Sequence, residues 1–179
     1  MIDWNVVATS REEGFRDTVQ LLEEFGPVSR TDFYNVLVLR VDDIPAALER
    51  LRRRIDEEPG IENFLARFIP LTRTFAFHSA EEFEARAVEA VGGWVAPLAG
   101  KSFHVRMCRR GFRGKLSSMD EEHFLDGHLL ALLEKAGAPG RITFADPDAV
   151  IAVETVGPRG GLSLWSRDEL ARYPFLGLD

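Results

Sequence analysis

Six cationic side chains lie in one short segment of the chain that contains no acidic residue. They are Lys101, Arg106, Arg109, Arg110, Arg113 and Lys115. Clustered guanidinium and ammonium groups bind phosphate oxygens, and Ser117 and Ser118 follow with hydroxyl and backbone N–H donors at the predicted start of a helix. We therefore predict that these residues contact the phosphate groups of a nucleic acid, with Lys101 at the flank.

Two features of this segment have more than one interpretation. Phe112 lies among the cations, and its ring could either stack on an unpaired base or fill an interface between two domains. The cations themselves could form a solvated surface paired with scattered carboxylates, or could dock an acidic protein partner without any RNA. The alternation of cationic with apolar residues favours the nucleic-acid interpretation.

The remainder of the chain is acidic, so the positive charge is confined to this segment. The 179 residues carry 22 Lys and Arg against 29 Asp and Glu, a formal net charge of −7. Without the six cations, 16 basic side chains remain against 29 acidic ones, a balance of −13. This distribution excludes indiscriminate polyanion binding over the whole surface and favours one local electrostatic footprint.

No set of residues has the spacing of a catalytic or metal-binding site. His123 and His128 lie five positions apart, about 140° around a helix, so they do not converge on a metal ion. The single Cys108 excludes an internal disulfide and favours a reducing, cytoplasmic environment. We therefore predict a binding protein without catalytic residues, metal or cofactor. The absence of any run of about 18 apolar residues predicts no membrane span.

The cationic segment lies within a predicted α/β unit. Apolar and polar residues alternate over Ser102–Arg109, which predicts a strand with one buried face. Capping-box spacing at Ser79–Glu82 and at Ser118–Glu121 predicts a helix on each side of that strand. Further strands are predicted at Ile142–Phe144, Ala149–Val156 and Leu162–Trp165, the last two pairing as a hairpin.

The first part of the chain predicts another, smaller unit. Its elements are strands at Asp3–Thr9 and Asn35–Val41, helices opened by Ser10–Glu13 and by Asp43 and Pro45, and an extended segment over Ile61–Phe77. This order is consistent with a ferredoxin-like unit. The predicted fold class is therefore α+β, with a ferredoxin-like domain over residues 1–76 and an α/β domain over residues 77–179.

The succession of short motifs in residues 77–179 resembles a THUMP domain. The motifs are Lys101–Gly111 (KSFHVRMCRRG), Ser117–Asp120 (SSMD), a Leu-rich helix, Asp146–Asp148 (DPD), Val150–Glu154 (VIAVE) and Leu162–Trp165 (LSLW). The stretch FLARFIPLTRTFAF, which leads into them, is similar to the junction of stand-alone THUMP proteins of the tRNA acetylation adaptor type. The implied architecture is an α/β THUMP domain preceded by a ferredoxin-like domain.

The resemblance also implies a function. THUMP domains bind RNA, so the expected partner is tRNA, held by its acceptor stem and 3′ CCA end. A separate enzyme, a cytidine acetyltransferase in the adaptor type, would then perform the chemistry. The start of the helix that follows the cationic segment is acidic, with Asp120, Glu121 and Glu122, and so departs from the pattern of a strongly basic RNA binder. These acids should narrow the phosphate-binding surface.

Overall fold

The computed structural model describes residues 2–178, which divide into two compact units. The first comprises residues 2–72 together with 172–177, and the second comprises residues 73–171 together with Leu178. Each unit has its own β-sheet, and helices accompany both sheets. The α+β fold class is therefore confirmed.

The first unit has a four-stranded antiparallel sheet with the strand order β2-β3-β1-β4. Its elements are β1 (Val6–Ser10), α1 (Phe15–Leu22), β2 (Val28–Arg30), β3 (Val36–Leu39), α2 (Ile44–Glu57) and β4 (Leu65–Pro70). The succession β-α-β-β-α-β is that of ferredoxin-like units. Strand β2 was not predicted, because it is a three-residue edge strand that is half-exposed and has no apolar pattern.

One of the two predicted helix starts in this unit is correct and the other is wrong. The Asp43 carboxylate accepts a hydrogen bond from the Ala46 backbone N–H at 3.0 Å and caps α2, as predicted. Ser10, by contrast, ends strand β1, and α1 begins after Gly14 without a side-chain cap. Gly14 is needed there for a close approach, since a Cβ on it would lie 2.2 Å from the Cβ of Phe64.

The second unit has a five-stranded mixed sheet with the order β5-β9-β8-β6-β7. Its elements are β5 (Arg73–Ala76), α3 (Ala80–Gly92), α4 (Val95–Leu98), β6 (Ser102–Cys108), α5 (Ser118–Lys135), β7 (Arg141–Ile142), β8 (Ala149–Val156), β9 (Arg159–Ser166) and α6 (Arg167–Arg172). Strand β6 runs parallel to β7 and β8, and β8 and β9 form the predicted hairpin.

The division between the units differs from the boundary expected after residue 76. The extended segment Ile61–Phe77 is two strands, of which β4 pairs with β1 and β5 pairs with β9. Near the end of the chain, residues 172–177 belong to the first unit, where the rings of Phe175 and Phe68 meet edge to face at 6.1 Å. The sequence did not show either feature because both depend on pairing between distant segments.

The core of the second unit holds the cationic segment in place. Phe103, Val105 and Met107 point inward from β6 and are at most 7% exposed, as the alternation predicted. They pack against buried side chains of α3, α5 and β8, among them Phe83 of α3 and Leu129 of α5. None of the helices within residues 2–178 is long and apolar enough to cross a membrane.

Candidate nucleic-acid interface

The loop between β6 and α5, residues 109–117, carries most of the predicted phosphate-binding residues and is fixed at several points. The Arg110 backbone N–H donates to the Thr155 hydroxyl at 3.0 Å, and its carbonyl accepts from the Gly157 N–H at 2.8 Å. At the other end of the loop, Leu116 is buried and its N–H donates to the Phe112 carbonyl at 3.0 Å. The loop therefore presents its remaining side chains from an ordered backbone.

Three residues of this loop adopt a left-handed backbone conformation. The φ angles are 99° at Gly111, 53° at Phe112 and 78° at Gly114. The two glycines adopt this region without steric cost, whereas Phe112 is strained there. The tight course of the chain between β6 and α5 thus depends on both glycines.

Phe112 packs into the core of the second unit. Its half-buried ring lies 4.9 Å from the ring of Phe77, centroid to centroid, and contacts the hydrophobic cluster around it. Both residues belong to the second unit, so this contact does not support the interpretation in which Phe112 fills a domain interface. The packing also explains how the strained backbone is retained, since the buried ring anchors the turn.

Lys101, Arg106, Arg113 and Lys115 all present exposed side chains. Among the described residues, neither Arg113 nor Lys115 forms a salt bridge. Both lie in the ordered loop, and their charged groups stay in water. These two side chains are placed to meet an anion without first giving up a partner carboxylate.

Arg110 is not placed as the sequence suggested. Its guanidinium group donates to the Glu154 carboxylate at 2.5 Å, and the two side chains are only 12% and 1% exposed. The expectation that the Arg110 side chain faces solvent is therefore wrong. Parallel pairing of β6 with β8 sets Cys108 opposite Glu154, which brings the Arg110 side chain to that buried carboxylate.

Arg109 is half-buried and turns back on its own loop. Its guanidinium group donates to the Gly111 carbonyl oxygen. The same residue lines a surface cavity of about 560 Å³. Arg109 therefore combines a structural contact in the loop with a place in the cavity wall.

The cavity lies beside the first turn of α5. Its wall includes four of the predicted residues, Arg109, Lys115, Ser117 and Ser118. Ser117 is the N-cap of α5, where its hydroxyl accepts from the Asp120 N–H at 3.3 Å. The predicted capping box was therefore placed one residue too late, and Ser118 is the first residue of the helix.

Carboxyl groups also form part of the cavity wall. Glu84 of α3 and Asp120 and Glu121 of α5 line it. Burial raises the pKa of Glu121 to about 8, and its hydrogen bond with Glu84 and the nearby charges of Glu84, Asp120 and Glu81 act in the same direction. At neutral pH, Glu121 therefore holds a proton, which lowers the negative charge facing any phosphate.

Glu121 was expected only as one acid of the helix start that narrows the phosphate-binding surface. The residue is 4% exposed, and one of its carboxyl oxygens, Oε2, has no hydrogen-bond partner. Its side chain is buried on the same face of α5 as Leu125 and Leu129. The only available signal was its position four residues before Leu125, on the apolar stripe of the helix.

Other acidic residues of this unit have structural roles. On α5, Glu122 accepts from the Met107 N–H at 3.1 Å and Asp126 accepts from the Val105 N–H at 3.0 Å. At the start of β6, Asp148 accepts from the N–H and the hydroxyl of Ser102, which lowers the pKa of that carboxyl. These contacts fix β6 and thus the position of the loop that follows it.

The two histidines of α5 lie apart from this cavity wall. The His128 ring stacks at 6.4 Å on Phe124, which is itself 38% exposed. Within residues 2–178, no group of three or more His, Cys, Asp or Glu side chains is arranged to hold a metal ion.

Comparison with known proteins shows that this chain is similar in fold to several solved structures. No protein-family model matches the chain, and no curated protein sequence matches it. Among solved structures, the chain is similar to PH1313 from Pyrococcus horikoshii, with 13% identity and a TM-score of 0.55. That match covers 90% of this chain and 55% of PH1313.

Two further solved structures share the fold. TrmN from Thermus thermophilus has 15% identity and a TM-score of 0.57, with 89% of this chain and 44% of TrmN covered. A 4-thiouridine synthetase, solved as an RNA complex with bound ATP, has 14% identity and a TM-score of 0.54, with 92% and 42% covered. This chain thus spans about half the length of these neighbours. At these identities the likeness concerns the fold alone.

Proposed function

We propose that the protein binds tRNA through its second unit and presents it to a separate modifying enzyme. The observation that carries the proposal is the ordered loop after β6, which projects Arg113 and Lys115 into solvent beside the N-terminus of α5. Exposed cations next to a helix N-terminus attract phosphate groups, and a rigid backbone lowers the entropic cost of binding them. Lys101 and Arg106 extend the basic surface along β6.

The acceptor stem and the 3′ CCA end are the proposed contact region on the tRNA. The fold shared with a synthetase that was solved in complex with RNA supports an RNA partner. Contacts from exposed Arg and Lys side chains position a backbone without reading its sequence, which suits a protein that handles many tRNAs. An unpaired end also offers bases that can enter a cavity.

The proposed role is that of an adaptor. The predicted site residues are cations, hydroxyls and one aromatic ring, which are groups that hold a nucleic-acid backbone in position. A cytidine acetyltransferase is the proposed partner, because the sequence resembles the stand-alone THUMP adaptors of tRNA acetylation. Capture of the tagged protein from native cells, followed by identification of both RNA and protein, tests this step. Recovery of tRNA with a different class of enzyme would overturn the choice of partner.

A competition experiment tests the tRNA proposal itself. A labelled deacylated tRNA is bound to the protein and displaced by unlabelled tRNA with a complete 3′ end, by the same tRNA trimmed of its CCA, and by polyglutamate. We expect the complete tRNA to compete best and polyglutamate to compete least. If polyglutamate displaces the label as well as tRNA does, the basic surface docks acidic proteins instead.

A further inference from the structure

Phe144 exposes most of its ring to water. It follows β7, in the loop that leads to β8, and its side chain is 72% exposed. Phe112, the aromatic residue expected among the cations, is instead half-buried against Phe77. An exposed aromatic ring gains free energy when another flat apolar surface covers it, because both surfaces leave water. Of these two rings, that of Phe144 is the one open to a flat ligand.

The loop that carries Phe144 is fixed on both sides of the ring. The ring contacts that of His104 on β6, with 5.2 Å between the centroids. His104 is 8% exposed, and its Nδ1 donates to the Thr143 carbonyl oxygen at 3.0 Å. After the ring, the Arg167 guanidinium group donates to the carboxylate and to the carbonyl oxygen of Asp146, at 2.9 and 2.8 Å. A ligand therefore meets an ordered ring, which lowers the entropic cost of binding.

Exposed cations lie on the strands next to this loop. Arg141 begins β7, and its backbone N–H donates to the Lys101 carbonyl oxygen at 3.1 Å, so both residues lie at the same end of the β6–β7 pair. Both side chains are exposed, as is that of Arg106, two positions after His104 on β6. Three residues of chain span at most about 11 Å, so Arg141 lies within that distance of Phe144. A nucleic-acid strand with one base on the ring can therefore place a neighbouring phosphate at a cation.

The acids of this loop are already paired within it. Asp146 and Asp148 both form salt bridges with Arg167, at 2.9 and 3.3 Å. Asp148 also accepts from the backbone N–H and the hydroxyl of Ser102. These contacts offset the two negative charges close to the ring. An exposed ring with cations beside it is the combination that binds single-stranded nucleic acid, in which bases stack on the ring and phosphates follow the cations.

We propose that Phe144 is a stacking platform for one unpaired base of an RNA, with phosphates of the same strand at Arg141 and Lys101. The proposal rests on the RNA-binding function proposed above and adds a base contact to it. Every base has a flat π-face, so the ring accepts unpaired bases of any sequence, whereas the bases of a paired stem are stacked on one another. Phe144 thus favours an RNA with a single-stranded end over a blunt stem.

The test compares an RNA hairpin that carries a single-stranded 3′ overhang of adenosines with the same hairpin ending in a blunt stem. Binding of both is measured for the full chain at several salt concentrations. We expect Phe144→Ala to weaken binding of the overhang hairpin about fivefold or more, the loss typical of base–aromatic stacking, and to leave the blunt hairpin unaffected. The salt dependence should stay as in the wild type, because no phosphate contact is removed.

Further substitutions separate stacking from general apolar contact. F144L keeps an apolar side chain without a planar ring, so it should lose most of the affinity that F144A loses. F144W keeps a planar ring, so it should bind the overhang hairpin at least as tightly as the wild type, and the overhang should quench the fluorescence of its indole. Y34A removes a ring that is 76% exposed in the first unit and serves as the matched control, with wild-type binding expected.

Wild-type affinity of F144A for the overhang hairpin overturns the stacking platform and leaves the exposed ring as a contact for a protein. Wild-type affinity of F144L also overturns it, because an apolar contact without a planar ring is then sufficient. Thermal melting should be unchanged in each variant, since the side chain is exposed. If the wild type binds neither hairpin in a salt-dependent manner, the proposed RNA-binding function fails together with the platform. The two failures are therefore distinguishable.

Discussion

Replacing Arg110 with alanine should destabilise the second unit. The guanidinium group of Arg110 donates to the Glu154 carboxylate at 2.5 Å, where the two side chains are 12% and 1% exposed. Arg110→Ala leaves Glu154 buried without that positive charge. The substitution should therefore reduce folding stability, whereas removal of a solvent-facing phosphate ligand would change it little.

The magnitude follows from the burial of the pair. Removing one partner of a buried ion pair costs about 3–5 kcal/mol, because the remaining charge stays desolvated. For a chain of this size, each kcal/mol lowers the melting temperature by about 2–4 °C, so Arg110→Ala should lower it by roughly 6–20 °C. Arg113→Ala, which removes an exposed guanidinium group three residues away, should change it by less than about 2 °C.

The assay is thermal unfolding followed by circular dichroism, with a double substitution as the decisive variant. Arg110→Met combined with Glu154→Leu replaces the pair by apolar side chains of similar size and should recover most of the lost stability. If Arg110→Ala melts within about 2 °C of the wild type, the buried ion pair does not stabilise the unit and the reasoning is refuted.

Two further predictions concern the same loop and cavity. The folded-state pKa of Glu121 lies above its unfolded value, so the folded protein holds the extra proton and loses stability as pH rises from about 4.5 to about 8. Glu121→Gln cannot ionise, so it should reduce this pH-dependent decrease in the free energy of unfolding by about 2–4 kcal/mol. The measurement is denaturant unfolding of both proteins at pH 5 and pH 8. A variant with the same pH dependence as the wild type would contradict the prediction. Phe112→Ala should cost about 3 kcal/mol by removing the packing on Phe77, and a wild-type melting curve would argue for a solvent-facing ring.

Local patterns in the sequence predicted the elements that local interactions determine. Asp43 and Ser79 were predicted as helix caps, and both accept hydrogen bonds from backbone N–H groups of the first turn. The alternation in Ser102–Arg109 correctly placed its apolar side chains in the core. The segment Ala149–Val156 was predicted as a strand, and it is a strand that is buried throughout. In each case the signal lies within a few residues of the feature that it predicts.

The errors concern features that depend on partners far along the chain. Arg110 carries the same charge as Arg113, and only the pairing of β6 with β8 shows that it meets Glu154, 44 positions away. The acidic start of α5 did not show that Glu121 lines a cavity together with Glu84 of α3, because this depends on the packing of the two helices. Net charge and spacing located the basic segment, but they could not tell which of its cations are exposed.

A salt titration of tRNA binding tests the central claim most directly. If Lys101, Arg106, Arg113 and Lys115 each neutralise one phosphate, the logarithm of the binding constant should fall against the logarithm of salt concentration with a slope of roughly −3 to −4. Arg113→Ala should weaken binding of all tRNAs about equally and reduce the slope by about 1, whereas the exposed Arg53→Ala in the first unit should leave it unchanged. An Arg113→Ala variant that melts normally and binds tRNA with the wild-type affinity and slope would contradict the claim.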